Sequence, residues 1–544
     1  MTPFSSATPY YSQRSATYAR HGMVAASQPL ASQIGRDVLT KGGNAIDAAI
    51  ATAATLTVLE PTGCGIGGDA FALVWIADDN QGRGKLHGLN ASGTAPQALM
   101  REAVIKAGHS EMPLYGWTPV TVPGTPAAWA ELSRRFGKLN FGALLEPAIR
   151  LAHDGFPLSP VIASLWAIEE ERFRKQHASF PELNNWFETF TPKGRAPRAG
   201  EWHCCVDQAR TLESIAETQA DSFYRGELAE RIDRVSRVSR GYLRGEDLSD
   251  YSPEWVTPIS ARYRDVDVWE IPPNGQGLVA LMALRILEGF ELSSRDNPEV
   301  VHHQLEAMKL AFVDGQSHIT ESAHMLYSIE ALLSDTYTRE RRALINERAL
   351  NPYSGKPKAG GTVYLATADE SGNMVSFIQS NYHGFGSGVV IPGTGIAMQN
   401  RGNDFSLDPQ HRNVLAPGKK TYHTIIPGFL TRADGMPLGP FGVMGGFMQP
   451  QGHVQVVNNL VDFRLNPQAA LDAPRWQWMG GKSISVEQQF PAHLVRAMAD
   501  RGHDMRIEHD NRDFGRGQII IRDPDTGIYC GGTEPRTDAS IAVC

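Results

Sequence analysis

The sequence lacks the features that mark several common classes of protein. Only five of its 544 residues are cysteines, an odd number, and their spacing forms no zinc-ligand pattern. Free thiols in a reducing compartment are the simplest interpretation, which favours a cytoplasmic protein. The formal net charge is −8 and no dense run of lysine and arginine occurs, so a nucleic-acid partner is not expected.

Long apolar runs are also absent. The first thirty residues have no continuous apolar core of the secretory type. Residues 45–59 are the most apolar stretch, but they are rich in alanine and threonine, carry Asp47, and are too short and polar to cross a bilayer. They predict a buried helix, and no membrane partner is expected.

Two further absences narrow the chemistry. No GxSxG nucleophile elbow is present, which argues against a serine hydrolase of that type. The neighbours His302 and His303 look like a metal-ligand pair, but adjacent residues in a helix face different ways. We therefore expect neither a metal nor another cofactor.

The patterns divide the chain into two parts. Length predicts roughly three domains or one large layered domain. Residues 28–350 are rich in helical patterns, whereas strand patterns dominate after Gly361. The predicted helices include 29–42, a helix from 44, 144–154, two helices within 212–232 broken at 223–226, 300–314, 453–462 and 491–501. The predicted strands include 70–76, 362–368, 374–380, 395–398, 519–522 and 539–543.

The step from Gly361 to Thr362 is the most informative feature. Two glycines precede a threonine that begins an apolar strand, and residues 369–373 are typical of a hairpin turn. Most threonines in this setting simply begin a strand. A cut before Thr362 would instead place a free amine beside its hydroxyl, and that amine can act as the activating base. The step suggests a self-processing hydrolase, with residues 354–360 as an exposed loop before the cut.

Three other motifs have both a structural and a functional interpretation. Residues 63–68 match GxGxxG, but a helix-like stretch precedes them and a strand follows, so a tight loop is the better interpretation than a dinucleotide site. Gly445 and Gly446 form either a plain turn or an anion site of backbone N–H groups near a helix N-terminus. Residues 400–405 form either a solvated loop or a substrate clamp, in which Arg401 would bind a carboxylate and Asp404 an ammonium or amide N–H.

These motifs occur in an order that resembles the γ-glutamyltransferase family of N-terminal-nucleophile hydrolases. The similarity extends over nearly the whole chain. It includes residues 42–49, 61–68, 122–126, 247–251 and 272–277, and an ungapped stretch from Thr362 to Phe405.

The resemblance implies an α+β fold with four αββα layers. It implies autocleavage at Gly361-Thr362 into a large chain, 1–361, and a small chain, 362–544, which remain together as one composite domain. Thr362 would attack the Gly361 carbonyl, and after cleavage it would attack a substrate amide to form an acyl-enzyme. Ser380 occupies the place of a threonine that orients the new N-terminus. Gly445 and Gly446 match the family's oxyanion-hole pair.

The departures from the family's pattern concern substrate binding. Ser92 stands where the family has the arginine that binds the glutamyl α-carboxylate. Tyr382 replaces an asparagine, Arg401 replaces a glutamine, and His423-Thr424 replaces a Ser-Ser pair. Asp404 is the glutamate-binding group that is retained.

These changes move the positive charge of the pocket from the position of Ser92 to that of Arg401. They indicate that the substrate is a smaller acid amide without an α-amino group. The pattern resembles the branch that includes oxamate amidohydrolase, in which oxamate gives oxalate and ammonia in purine-nitrogen catabolism. Arg401 or His423 would then bind the substrate carboxylate, and Tyr382 would shorten the pocket. The alternatives are a γ-glutamyl transferase or hydrolase acting on glutathione, and a non-catalytic homologue that is never cut.

Overall fold

The computed structural model describes residues 14–77, 84–352 and 361–544. Within them the strands, in chain order, are β1 (Thr17–Ala19), β2 (Gly22–Ala26), β3 (Asp69–Ile76), β4 (Lys85–Ala91), β5 (Phe156–Pro157), β6 (Trp202–His203), β7 (Glu254–Val256), β8 (Ile259–Tyr263), β9 (Val266–Glu270), β10 (Gly361–Asp369), β11 (Met374–Tyr382), β12 (Val390–Ile391), β13 (Ile396–Ala397), β14 (Gly428–Arg432), β15 (Pro437–Met444), β16 (Trp476–Gly480), β17 (Ser483–Glu487), β18 (Asp504–Glu508), β19 (Arg516–Arg522), β20 (Tyr529–Thr533) and β21 (Ser540–Val543).

The α-helices of the same described residues are α1 (Pro29–Thr40), α2 (Ala45–Leu59), α3 (Arg101–Lys106), α4 (Thr125–Phe136), α5 (Phe141–Asp154), α6 (Pro160–Gln176), α7 (Asn184–Phe190), α8 (Val206–Thr218), α9 (Asp221–Arg225), α10 (Glu227–Val238), α11 (Gly245–Ser249), α12 (Gly277–Leu287), α13 (Pro298–His318), α14 (Ile329–Leu332), α15 (Asp335–Arg342), α16 (Met448–Val461), α17 (Pro467–Asp472) and α18 (Ala492–Asp500).

Two seven-stranded sheets form the centre of the molecule. The first sheet has the order β21-β2-β10-β11-β3-β4-β7, and the second has the order β1-β20-β19-β15-β14-β9-β8. Each sheet combines strands from before and after Gly361. Strands concentrate after Gly361 as expected, since 12 of the 21 described strands lie in that shorter part of the chain. Apart from β3, the strands before Gly361 that complete both sheets were not predicted, because short strands with little pattern of their own take their pairing from partners distant in sequence.

The sheets pack face to face and helices cover their outer sides. Phe71, Tyr364 and Ile378 of the first sheet meet Phe429 and Ile520 of the second in one buried cluster. A second cluster joins the outer side of the first sheet to α1, α2 and α5, and a third joins the second sheet to α12, α13 and α16. The result is the expected α+β arrangement of four layers, αββα.

Helix α2 shows why small residues occupy residues 45–59. All 15 of its residues are buried, so the helix has no polar face, and alanine and threonine let it approach its neighbours closely. Asn44 caps its N-terminus by accepting hydrogen bonds from the amides of Ile46 and Asp47. None of the described helices is long and apolar enough to cross a membrane.

The β10–β11 hairpin carries the Gly361-Thr362 step, and its turn is tied to α2. Asp369 accepts hydrogen bonds from the Asn373 amide at 3.0 Å and from the Ala45 amide at 2.9 Å. The same carboxylate thus closes the turn and binds the first turn of a buried helix.

Most of the predicted long elements are confirmed, with differences at the boundaries. The break within 212–232 falls first at Gln219 and Ala220, whose positive φ angles of 51° and 69° end α8, and again at Gly226. The predicted strand 395–398 is reduced to the two residues of β13. The predicted loop 354–360 lies outside the described residues.

Replacing Asp369 by alanine is expected to destabilise the protein by about 1–3 kcal/mol, because the buried Ala45 amide and the half-buried Asn373 amide lose their acceptor. Thermal or denaturant unfolding of the purified protein measures the change. Asp434→Ala is the matched control, since this aspartate also accepts an amide in a hairpin turn but is exposed. An equal effect of both substitutions would contradict the role of the Ala45 contact.

Candidate active site

Thr362 lies at an irregularity near the start of β10. The β10–β11 register shifts between Gly361 and Val363, and Thr362 is 1% exposed. The loop of residues 63–68 packs directly on this place. A methyl group on Gly63 would lie 3.1 Å from the Thr362 carbonyl oxygen, and one on Gly68 would lie 2.5 Å from that of Ser380. These glycines therefore permit close backbone approach, as expected for a tight loop.

The Ser380 hydroxyl connects the two residues of the Gly361-Thr362 step. Its oxygen lies 2.7 Å from the Gly361 carbonyl oxygen, to which it donates, and 3.0 Å from the Thr362 hydroxyl oxygen. It also accepts from the Tyr382 amide at 2.8 Å. Because a serine hydroxyl has one proton, the Thr362 hydroxyl must donate to Ser380. These hydrogen bonds form a continuous path from the Thr362 hydroxyl through Ser380 to the Gly361 carbonyl oxygen.

Gly445 and Gly446 form the loop between β15 and α16. Their φ angles are 135° and 58°, in the region that favours glycine. The Gln276 side chain holds the loop by donating to the Gly446 carbonyl at 2.9 Å and to the Thr424 carbonyl at 2.6 Å. A buried side chain thus anchors the loop, which lies at the N-terminus of a helix, where backbone N–H groups favour negative charge.

Arg401 lies in a short 3-10 helix, Arg401–Asp404, and is fully buried. Its Nη1 donates to the Thr424 hydroxyl at 2.7 Å and lies 3.4 Å from a carboxylate oxygen of Asp404. Its guanidinium carbon is 3.9 Å from the ring centroid of Tyr382, and the Tyr382 hydroxyl donates to Asp404 at 2.6 Å. Four of the five predicted substrate contacts therefore form one cluster.

This cluster leaves one edge of the guanidinium without a partner. Among the described residues, Nε and Nη2 of Arg401 have no hydrogen-bond acceptor although both atoms are buried. These two N–H groups lie side by side and match the two oxygens of a carboxylate. Burial, and secondly the nearby Asp404 charge, hold the pKa of Tyr382 well above its usual range, so its hydroxyl stays protonated as a donor.

His423 is placed differently from the prediction. Its Nε2 lies 3.0 Å from Asp69, and its Nδ1 accepts from the Ile425 amide at 3.3 Å, so Nε2 carries the proton. Both ring nitrogens are bound within the protein, which argues against a contact with a substrate carboxylate. Burial, and then the Arg401 charge, push the His423 pKa far below its ordinary value.

Asp69 is the buried carboxyl that fixes His423. Burial raises its pKa to about 7, although the Arg401 charge opposes that rise. Gln399 donates to its other oxygen at 2.9 Å. Ser92, which replaces the arginine that the family uses, is also bound internally, because its hydroxyl donates to Asn90 at 2.7 Å.

The whole chain is similar to several known proteins. The family model for gamma-glutamyltranspeptidase matches residues 31–544. The oxamate amidohydrolase proenzyme of Klebsiella pneumoniae is 34% identical over 97% of this chain and 99% of its own. The glutathione hydrolase-like YwrD proenzyme of Bacillus subtilis is 34% identical over 95% of this chain and 97% of its own. The crystal structure of cephalosporin acylase from Bacillus halodurans is 58% identical, with a TM-score of 0.96 over 100% of this chain and 99% of its own.

This chain belongs to the γ-glutamyltranspeptidase family. It is accordingly an enzyme, a hydrolase of the N-terminal-nucleophile type, as the resemblance implied.

A cavity of about 350 Å³ opens beside the Gly361-Thr362 step of this γ-glutamyltranspeptidase-family chain. Gly361, Gly63 and Gly445 form part of its wall, together with charged side chains that the motifs did not indicate: Glu169, Arg172, Asp510, Arg512, Asp513 and Arg516. The only sequence feature that could have indicated this cavity wall was the cluster of charges at 510–516, directly before a predicted strand. Glu169 and Arg172 lie inside α6, where charged residues look like an ordinary solvated face.

The histidine pair diverges as expected, since His303 stacks on Phe290 while His302 turns inward. His302, Glu306 and His503 lie close enough together to consider a metal site. The Lys309 ammonium contacts two members of this group, at 2.8 Å from Glu306 and 3.2 Å from His503. A buried ammonium there repels a metal ion, so the absence of a metal remains the prediction.

Replacing Ser380 by alanine is expected to slow self-cleavage by about 100-fold or more, because the donor to the Gly361 carbonyl is lost. Ser380→Thr keeps the hydroxyl and should cleave. Mass spectrometry of freshly purified protein over time measures the rate. Ser376→Ala is a matched control on the same face of β11, where Ser376 contacts Tyr364 instead. If Ser380→Ala cleaved itself at the wild-type rate, the proposed proton path through Ser380 would be contradicted.

Proposed function

We propose that the chain cuts itself between Gly361 and Thr362, giving chains 1–361 and 362–544, and that Thr362 then hydrolyses amides of small acids. The hydrogen-bonded series Thr362–Ser380–Gly361 carries this proposal, since it joins the attacking hydroxyl to the carbonyl that it would attack. The fold, the family and the proenzyme relatives support it.

The proposed reaction has two stages, self-cleavage and then hydrolysis of the substrate. Thr362 attacks the Gly361 carbonyl, the peptide shifts to an ester, and water opens the ester. The new α-amine, with a pKa near 8, then takes the proton of its own hydroxyl. The hydroxyl attacks the substrate amide while the amides of Gly445 and Gly446 stabilise the developing oxyanion. The amine product leaves, and water releases the acid.

Arg401 is the proposed carboxylate anchor. Its Nε and Nη2 edge, which has no acceptor in the part of the chain that the structure describes, suits a substrate carboxylate. Thr424, Asp404 and Tyr382 hold the rest of the guanidinium in place. In the uncut chain this edge is enclosed, so substrate entry follows processing. His423 is not a proposed contact; it positions Asp69.

The proposed site requires a substrate with a carboxylate near its amide and no ammonium, and oxamate is a very small molecule of this kind. We therefore first propose the hydrolysis of oxamate to oxalate and ammonia. Oxamate carries a carboxylate directly beside its amide and has no ammonium. A γ-glutamyl substrate such as glutathione needs an acceptor for its ammonium, and Asp404 already accepts from Tyr382 and lies beside Arg401. A role in purine-nitrogen catabolism and a cytoplasmic location remain predictions.

Thr362→Ala is expected to remain a single chain of 59.5 kDa, because it has no hydroxyl to attack Gly361. Thr362→Ser is the matched control and should cut. Intact mass and N-terminal sequencing of the purified proteins distinguish these results. A small chain beginning at Thr362 supports the proposal. An uncut wild-type protein would favour the non-catalytic alternative.

The substrate is tested with an amide series of increasing length: oxamate, succinamate and glutaramate, followed by glutathione. Ammonia release, or glutamate release for glutathione, gives kcat/KM for each. We expect oxamate to be preferred. A preference for glutathione would overturn the small-acid proposal in favour of γ-glutamyl hydrolysis. A preference for glutaramate would show that the substrate is a longer acid amide than oxamate.

Arg401→Lys is expected to lower kcat/KM for the preferred acid amide by about tenfold or more, because an ammonium cannot bind the carboxylate through a fork. Self-cleavage should continue, since Ser380 rather than Arg401 binds the Gly361 carbonyl. Arg432→Lys on the exposed end of β14 is the control. Unchanged turnover by the variant at 401 would exclude Arg401 as the anchor.

A further inference from the structure

Gln276 connects two parts of the active site through a single side-chain nitrogen. The residue lies directly before α12 and is fully buried. Its Nε2 donates to the Gly446 carbonyl at 2.9 Å and to the Thr424 carbonyl at 2.6 Å. Gly446 belongs to the proposed oxyanion loop, and the Thr424 hydroxyl accepts from Arg401. One amide group therefore contacts both the oxyanion loop and the residue that holds the proposed carboxylate anchor.

The orientation of the Gln276 amide is fixed at its other end. The Tyr422 hydroxyl donates to its Oε1 at 2.9 Å. A flipped amide would place its oxygen against two carbonyl oxygens, which accept but do not donate. Both N–H groups and the oxygen of the side chain are thus bound, and a rotation of the amide would break three hydrogen bonds at once.

The main chain of Gln276 strengthens the same connection. Its backbone amide donates to the His423 carbonyl at 2.9 Å, so one residue binds two successive carbonyls, those of His423 and Thr424. On the other side, the Tyr422 ring stacks on Phe447, which follows Gly446, with 5.9 Å between the ring centroids. The segment that carries Thr424 and the oxyanion loop are therefore held at one separation.

That separation limits the substrates that fit. In the proposed reaction the substrate carbonyl lies against the amides of Gly445 and Gly446 while the carboxylate lies against Arg401. In oxamate these two groups are joined by one carbon–carbon bond, so the molecule cannot adjust the distance between them. A longer acid amide such as glutaramate has rotatable bonds and can adjust.

We propose that Gln276 sets the distance between the oxyanion loop and Arg401, and thereby selects the length of the acid amide that is hydrolysed. Gln276 is a positioning residue, since it acts through Gly446 and Thr424. The inference rests on the proposed amide hydrolysis at Thr362 and on Arg401 as the carboxylate anchor.

Gln276→Met tests this role. Methionine has nearly the length and volume of glutamine but donates no hydrogen bond, so the core stays filled while the connection is lost. We expect kcat/KM for oxamate to fall by about 100-fold, the effect of a misplacement of about 1 Å, and that for glutaramate by only about tenfold. Steady-state kinetics with both amides give the ratio. Loss of folded enzyme alone would lower both values equally, so an unchanged ratio in folded protein would overturn the inference.

Gln455→Met is the matched control. Gln455 in α16 is also buried, and its nitrogen donates to the carbonyls of Gln451 and Trp476 while its oxygen accepts from the Trp476 amide. The substitution removes the same number of hydrogen bonds from another part of the core. It should leave the oxamate-to-glutaramate ratio at the wild-type value, and an equal fall in both variants would contradict a specific role of Gln276.

Tyr422→Phe decides the question if Gln276→Met does not fold. It removes only the hydroxyl that fixes the Gln276 amide and keeps the aromatic ring on Phe447. The oxamate-to-glutaramate ratio should fall in the same direction. A wild-type ratio in this variant would then overturn the inference.

Binding of dicarboxylates separates this inference from the proposed function, because it needs no turnover. Oxalate and glutarate each offer one carboxylate to Arg401 and a second to the oxyanion loop. By calorimetry we expect the wild type to bind oxalate more tightly than glutarate, and this preference to shrink in Gln276→Met even if every amide in the series is left intact. An equal preference in both proteins overturns the inference even if oxamate is hydrolysed.

Discussion

The single hydroxyl proton of Ser380 determines the hydrogen-bond geometry around the Gly361-Thr362 step. Ser380 can donate only once, and it donates to the Gly361 carbonyl, so it must accept from both Thr362 and the Tyr382 amide. That arrangement needs the register shift after Gly361 and a φ of 77° at Tyr382. Such a backbone conformation costs roughly 1–3 kcal/mol in a non-glycine residue and persists only where the surroundings enforce it. The glycine loop at 63–68, which packs against the backbone of Thr362 and Ser380, supplies that constraint.

Buried polar contacts, like the shared sheets, connect residues before Gly361 to residues after it. Asp69 binds His423, and Glu60 binds Arg516, each pair joining a residue before Gly361 to one after it. Breaking a buried pair is costly because it leaves an uncompensated charge or donor. Chains 1–361 and 362–544 would therefore stay together after cleavage, and the pocket would remain composite, with walls from both.

The parts of the site that could be predicted from the sequence are those that depend on residues close together in the chain. Thr362 before a strand, the hairpin turn at 369–373 and the adjacent glycines 445 and 446 are local signals, and the structure places them as a hairpin and a helix-leading loop. The contact between His423 and Asp69 could not be predicted, because the two residues lie 354 positions apart in the sequence. The charged cavity was missed for the same reason, since Glu169 and Arg516 come from α6 and β19.

The sequence alone determined the long buried helix at 45–59, the hairpin that begins at the Gly361-Thr362 step, and, through its ordered motifs, membership of the γ-glutamyltranspeptidase family. These depend on spacing and turn chemistry, which act over a few residues. The tertiary structure alone decided how two interleaved sheets share strands from both sides of that step. It also decided that one donor edge of Arg401 has no acceptor within 14–77, 84–352 and 361–544, and that Arg516 lines a cavity, because burial and pairing depend on residues hundreds of positions apart.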